Sequence, residues 1–420
     1  MWHRSLAWSC LTLLLLGLLG SAAVAQAVPP LPVCQVSHQG HIYPSLTVAQ
    51  DNVLFAAGEW AATENYIYYL YRSMDRGHTW EHLPDLPLTE SYRAKIDLST
   101  NFAADQTLSV TFRTATNISH DGGFTWRVVS LPQAMPNTFA LGDAQHLFAG
   151  YGYSLPPSNP GAVHISQDGG QTWQSISMGL DVDRIFVSPA FAQDHTVLMS
   201  LGAYHYNGGL VLSTDAGLTW QRADTGLDLS GLGIYSLAFS PQFASDRTLF
   251  CYDSSAVAWG VYKSTDAAAT WQHLPGSQPQ FFANSPQLLI SPRYHQDQTL
   301  WAVDHYIAAI VSRDGGQTWQ PATPYPLRIH AAAEYCLPSG VCGVELFGEL
   351  YEKDPAGGKG KYYLYRSYDY GQTWQCLEDP TPPPGSVPPP PPAEIPEPAT
   401  WLLLASGVAG LAGWLRRRRC

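Results

Sequence analysis

Apolar and polar residues alternate along this chain in short runs such as "GAVHI", "GLVLS" and "YYLYR". A two-residue period of this kind is the signature of a half-buried β-strand. Each run leads into a polar stretch rich in Ser, Asp, Gly and Thr, and a further strand opening on an aromatic follows, as in "TWQSI" or "TWQHL". Two strands joined by such a stretch predict a β-hairpin with the polar residues at its turn. The stretch occurs seven times: "SMDRGHTW", "SHDGGFTW", "SQDGGQTW", "STDAGLTW", "STDAAATW", "SRDGGQTW" and "SYDYGQTW". The aspartates Asp75, Asp121, Asp168, Asp215, Asp266, Asp314 and Asp369 are 46, 47, 47, 51, 48 and 55 residues apart, so one structural unit recurs along the chain.

The residue types suit a turn. A Ser hydroxyl and an Asp carboxylate accept hydrogen bonds from turn amides that no strand ladder reaches. Gly supplies a positive φ without steric cost. The tryptophans Trp80, Trp126, Trp173, Trp220, Trp271, Trp319 and Trp374 are expected to fold beneath the turns as buried anchors, each worth about 3–5 kcal/mol on truncation. The pattern S-x-D-x-G-x-T-W resembles the Asp-box, or BNR, repeat of sialidases, sortilin-type receptors, some xyloglucanases and photosystem-assembly propellers. One copy departs from it, with Ala268 where Gly belongs. The resemblance implies that the box aspartates shape turns and perform no chemistry.

A second phrase repeats. "STNFAADQTL", "SPAFAQDHTV", "SPQFASDRTL" and "SPRYHQDQTL" each precede an apolar strand. One unit therefore reads as strand, Asp-bearing loop, strand, variable loop, strand, box, strand. Four strands need roughly 45 residues, and radially packed four-stranded units close into a ring. The expected fold is all-β: a single seven-bladed β-propeller of four-stranded antiparallel blades over residues 28–379, with a solenoid or open sandwich as the alternative.

This order puts the boxes and the second phrase on one face and the remaining loops on the other. Variable loops commonly carry function. Their rings and polar groups suit a sugar, whose C–H faces stack and whose hydroxyls need hydrogen-bond partners. The candidate ligand-binding residues are Trp60, Tyr153, Tyr204, His205, Tyr206, Tyr252, Asp253, Asp304, His305 and Tyr306. No spacing among them points to a metal, and no cofactor is expected.

Both ends read differently. Residues 1–27 combine Arg4, the apolar run "LTLLLLGLLG" and the small-residue stretch "SAAVAQA", the form of a secretory signal cleaved after Ala25 or Ala27; a retained anchor is the alternative. Residues 380–395 form a Pro-rich linker. Beyond it come Pro396-Glu397-Pro398, the 17 uncharged residues Ala399 to Leu415, which predict a hydrophobic helix, and then Arg416 to Arg419. Residues 396–420 resemble the PEP-CTERM sorting signal. That resemblance implies recognition by an exosortase, cleavage near Pro398, and a helix in the cytoplasmic membrane before processing; a permanent anchor is the alternative. Signal peptidase would be the other processing partner.

Between Val28 and Pro398, 17 cations face 34 acids, which disfavours nucleic acid and anionic lipid as partners. Cys336 and Cys342 flank a hairpin loop and suit a disulfide in an oxidising compartment. Cys34 and Cys376 lie at opposite ends of the propeller region, where a bridge would tie the two together. Cys251 reads as a buried thiol.

Sialidases need three arginines on a carboxylate and a Tyr–Glu pair, and their Arg-Ile-Pro phrase is absent here. Arg93, Arg113, Arg184 and Arg328 are the arginines left for such a clamp. A glycosidase needs two carboxylates across the scissile bond, for which Glu59, Asp253, Asp304 and Glu349 are candidates without a spacing argument. The expectation is a secreted or cell-surface scaffold binding exopolysaccharide or another surface protein without catalysis, with a sialidase-like glycosidase as the alternative.

Overall fold

The alternating runs form strands in the computed structural model. It describes Leu31 to Leu377 apart from residues 32–37, 40–44, 49–52, 62–65, 88–94, 113–115, 134–135, 153–160, 203–207, 229–233, 254–259, 275–285, 304–308, 338 and 353–360. For a few strand residues, Trp60 among them, only the backbone is described. The chain divides into units Met1–Leu31 and Pro32–Cys420, and every sheet belongs to the second.

Seven antiparallel sheets follow one another, each built on a four-strand meander in sequence order, and the last carries a fifth strand, His38–Gln39. Their spans are Ser45–His82, Lys95–Val129, Thr138–Ser177, Val182–Arg222, Ile234–His273, Gln287–Pro321 and Arg328–Cys376, numbered here as blades 1 to 7. The first strand of each blade contacts the first strand of the next, and that of blade 7 contacts that of blade 1. The first strands are therefore innermost and the ring is closed: a seven-bladed β-propeller.

The core lies between blades. Phe148 and Ile165 of blade 3 pack with Phe191, Val197 and Met199 of blade 4; Leu198 and Leu212 of blade 4 pack with Phe243, Leu249 and Cys251 of blade 5. The second strands Leu147–Tyr151, Val197–Leu201 and Leu249–Asp253 are buried along their whole length because each face of a sheet meets a neighbouring blade. The residue three positions after the box tryptophan fits against the box of the following blade. Leu83 lies against Gly123, Leu274 against Gly316 and Leu377 against Gly77, close enough that a Cβ on any of these glycines would collide.

Blade 7 is closed by both ends of the described chain. Its third strand, Lys361–Ser367, pairs with Gln375–Cys376 and, further along the same edge, with His38–Gln39. Cys376 is disulfide-bonded, while Cys34, its expected partner, lies outside the described residues. Cys336 and Cys342 are bonded to each other across the expected hairpin. Cys251 is a free buried thiol, pushed upward in pKa by burial.

Candidate functional site

All seven boxes share one set of hydrogen bonds. The Ser hydroxyl donates to Asp Oδ1 at 2.7–2.8 Å. The N–H of the fifth box residue donates to Ser Oγ at 2.6–2.9 Å. The Thr N–H and hydroxyl donate to the two carboxylate oxygens, at 2.8–2.9 Å and 2.5–2.6 Å. Residues four and five are both left-handed throughout, including Ala267 and Ala268 at φ 60° and 68° in blade 5.

Each carboxylate is therefore spent inside its own turn. Hydrogen bonds from the Thr172 hydroxyl, the Thr172 N–H and the Ser166 hydroxyl hold Asp168 at a pKa of about 2. Burial would raise Asp75, but donors from Thr79 and Ser73 outweigh it and hold this group also at about 2. An acid with so low a pKa and filled acceptor sites is a poor proton carrier near neutral pH.

The tryptophans anchor these turns to different depths. Trp271 and Trp374 are buried, and the other five are half-buried against the seam cores. Several reach the preceding blade: Trp173 Nε1 donates to Ser130 O, Trp271 Nε1 to Ala223 O and Trp374 Nε1 to Thr323 Oγ1. The second repeated phrase lies on the same face. Phe102–Asp105, Phe191–Asp194, Phe243–Asp246 and Tyr294–Asp297 are single helical turns whose leading aromatics are buried. The residue after each turn accepts an N–H from the box of its own blade, as Gln106 O does from Gly122. This face holds the ring together.

The opposite face is where the variable loops leave. Tyr153, Tyr204, His205, Tyr206, Asp304 and His305 lie outside the described residues, as do Tyr306, Arg93 and Arg113. Glu59 and Trp60 lie on the long strand Leu54–Ala61, opposite Tyr68 and Ile67. Tyr252 and Asp253 belong to the strand Leu249–Asp253 and not to a loop. Tyr252 is packed in the core between blades 5 and 6, and Asp253 has 0% exposure, because a strand residue near the neighbouring blade is covered by it.

Blade 7 brings two candidates together at that end of the ring. Arg328 and Glu349 are cross-strand partners, with Arg328 Nη1 3.8 Å from Glu349 Oε1. His330, which no sequence signal singled out, meets the same oxygen through Nε2 at 3.0 Å. A backbone irregularity between Ile329 and Ala331 sets His330 beside the acid. Glu349 and His330 are nearly buried, while the Arg328 side chain is partly open. On blade 2, Lys95 bridges Asp97 at 2.8 Å and the carbonyl of Phe139 on blade 3 at 2.9 Å. Burial raises Asp97 in pKa against the pull of Lys95. On blade 4, Arg184 is exposed and donates to Asp183 O. These cations suit hydroxyl or carboxylate acceptors on a ligand.

Among the described residues one metal-type trio, Glu334, Cys336 and Cys342, lies together, but its two sulfurs are bonded to each other and leave no thiolate. Among the described residues no helix is long and apolar enough to cross a membrane; Ala399 to Leu415 lie outside them.

The fold and its boxes define an Asp-box β-propeller. Residues 164–175 and 310–321 match the BNR/Asp-box repeat, and residues 394–419 match the PEP-CTERM protein-sorting motif. No curated protein matches the sequence. Similar solved structures include the Niastella koreensis GH74 enzyme (14% identity, 79% of this chain, 64% of that chain, TM-score 0.49) and YCF48 bound to D1 peptide (15%, 80%, 99%, 0.48). U3-55K is another (10%, 78%, 97%, 0.50). The chain spans 64% of the length of the GH74 enzyme. At these identities the likeness concerns the fold alone. The sorting motif and the propeller together mark an exported surface protein, processed by an exosortase.

Proposed function

We propose that the propeller is a non-catalytic binding scaffold at the cell surface, taking a polysaccharide or another exported protein on the face away from the boxes. In this reading residues 1–27 direct secretion and are removed by signal peptidase. Residues 28–379 form the binding domain, 380–395 space it from the membrane, and 396–420 are cut near Pro398. The ligand meets Arg328, Arg184 and Lys95 together with Trp60 of the strand Leu54–Ala61 and the loop residues Tyr153, Tyr204, His205, Tyr206, Asp304, His305 and Tyr306. Asp253 and Tyr252 shape the floor beneath them.

One observation carries the non-catalytic part. The seven box carboxylates are committed to their turns, so none of these catalytic-looking acids is left to transfer a proton. The test is binding of the full exported chain to glycan arrays and purified exopolysaccharide, beside hydrolysis of fluorogenic sialosides and glucans. Binding without turnover is expected. Turnover that Arg328→Ala abolishes would overturn the reading.

A further inference from the structure

The box serine of every blade faces a Leu or Val of the second strand, from Leu54 in blade 1 to Leu346 in blade 7, and this fixes a common height around the ring. Three residues further along each second strand, away from the boxes, the partners on the innermost strands are Ser45, Lys95, Thr138, Arg184, Ser236, Gln287 and Arg328. All seven are polar and none is acidic. One level nearer the boxes all seven innermost-strand residues are apolar, from Leu46 to Ile329. A polar belt therefore lies over an apolar floor on the side where the variable loops leave.

The belt divides its work by side-chain length. Thr138 and Ser236 are buried and tie neighbouring blades, their hydroxyls accepting the N–H of Ile185 at 3.3 Å and of Leu288 at 2.8 Å. The long members reach solvent: the Lys95 and Arg328 side chains are 55% and 31% exposed, and Arg184 and Gln287 are exposed. Acids stand behind the cations. Asp97, 2.8 Å from Lys95, and Glu349, opposite Arg328, have side chains only 17% and 7% exposed. Carboxylates so covered steady the cationic heads and leave those heads as what a ligand meets.

We propose that this belt binds a polysaccharide carrying carboxylates on separate sugar residues, a uronic-acid polymer. The inference rests on the binding-scaffold reading above and names its ligand. Lys95, Arg184 and Arg328 stand on blades 2, 4 and 7, with neutral positions between them. Single charges spaced by neutral groups match a polymer whose carboxylates are spaced by hydroxyls, and the Gln287 amide can both donate to and accept from a hydroxyl. An unbroken run of acidic residues matches this spacing less well. The 34 acids of the chain against 22 cations also repel a densely charged polyanion, while a sparsely charged one meets the belt at short range.

The test is titration calorimetry of polygalacturonate and alginate into the full exported chain, beside dextran, polyglutamate and free glucuronate. Both uronate polymers should bind, and reduction of their carboxyls to alcohols should weaken binding by about tenfold or more. Arg184→Gln should weaken binding by a similar factor at an unchanged melting temperature, and Arg184→Lys, which keeps the charge, should recover most of the loss. Dextran bound as tightly as the uronate polymers, with no loss in Arg184→Gln, would leave a polysaccharide scaffold standing and overturn the assignment of a charged ligand. Free glucuronate bound as tightly as the polymers would replace the belt by a clamp on one carboxylate, and tighter binding of polyglutamate would make the ligand an acidic polypeptide; either overturns the proposal. Failure of both uronate polymers to bind would overturn it whatever else binds.

Discussion

Arg72 and Arg366 hold the same position in two identical hexapeptides, Tyr68–Ser73 and Tyr362–Ser367, and each reaches the box of the following blade. Arg72 donates to Gly122 O at 3.1 Å and Arg366 to Arg76 O at 2.9 Å. Their charges are then balanced in different ways. At the seam between blades 1 and 2, Arg72 finds Glu81, whose side chain is 55% exposed. At the closing seam between blades 7 and 1, Arg366 pairs at 3.2 Å with Glu345, and both side chains have 0% exposure. Arg76 meets the other oxygen of Glu345 at 2.8 Å, from the box position that is Gly122 in blade 2. The Tyr368 hydroxyl accepts from Arg366 as well.

The ordinary seams join blades adjacent in sequence and rest on apolar packing. The closing seam joins segments 269 to 290 residues apart and adds directional charge. Burial pushes Glu345 upward in pKa even beside two guanidinium groups. Desolvation therefore takes back what attraction gives, the condition under which a buried cluster contributes pairing specificity more than net stability.

Breaking the buried cluster should have the largest effect. Glu345→Ala leaves Arg366 without its counter-charge and should cost about 3–5 kcal/mol in denaturant unfolding. Glu81→Ala should cost under about 1 kcal/mol. Equal losses would erase the contrast. Next come the anchors: Trp271→Ala and Trp374→Ala should each cost about 3 kcal/mol, with Trp173→Ala lower because its ring is half-exposed. A flat melting temperature in Trp271→Ala would remove the anchoring role.

Acid separates the two kinds of carboxylate. Asp75 and Asp168, depressed to about 2, contribute stability that is present above the unfolded value of about 3.9 and lost as pH falls through the folded value. Glu345 is raised, so its contribution is present below about 4.3 and fades as pH rises. Stability followed by calorimetry should thus drop steeply between about pH 4 and pH 2, and Glu345→Gln should not abolish that drop. The smallest effect is a gain: Ala268→Gly relieves a left-handed alanine and should raise stability by about 1 kcal/mol.

Much of this was legible in the sequence because it repeats. Seven boxes at near-constant spacing carry the blade count, and the sequence separation of 6 between Cys336 and Cys342 carries their bond. The second phrase was readable as a loop but not as a helical turn, since four residues are too few to show a 3.6-residue period. His330 had no motif; only the pairing of Arg328 with Glu349 and the adjacent irregularity bring it to the acid. The closing cluster left a trace in "SMDRG", where Arg76 stands in a position that is glycine in three other boxes, but its partner is 269 residues away and no local pattern names it. Tyr252 and Asp253 looked like loop residues because strand ends are the hardest boundary to read.

The central claim is that one face fastens the ring while the other binds. Titration calorimetry of exopolysaccharide into Asp168→Asn and Arg328→Ala, each checked for a native fold, tests it most directly. Asp168→Asn should melt lower yet bind as the unaltered chain does, and Arg328→Ala should lose at least tenfold in affinity. Loss of binding in Asp168→Asn with full binding in Arg328→Ala would contradict the account.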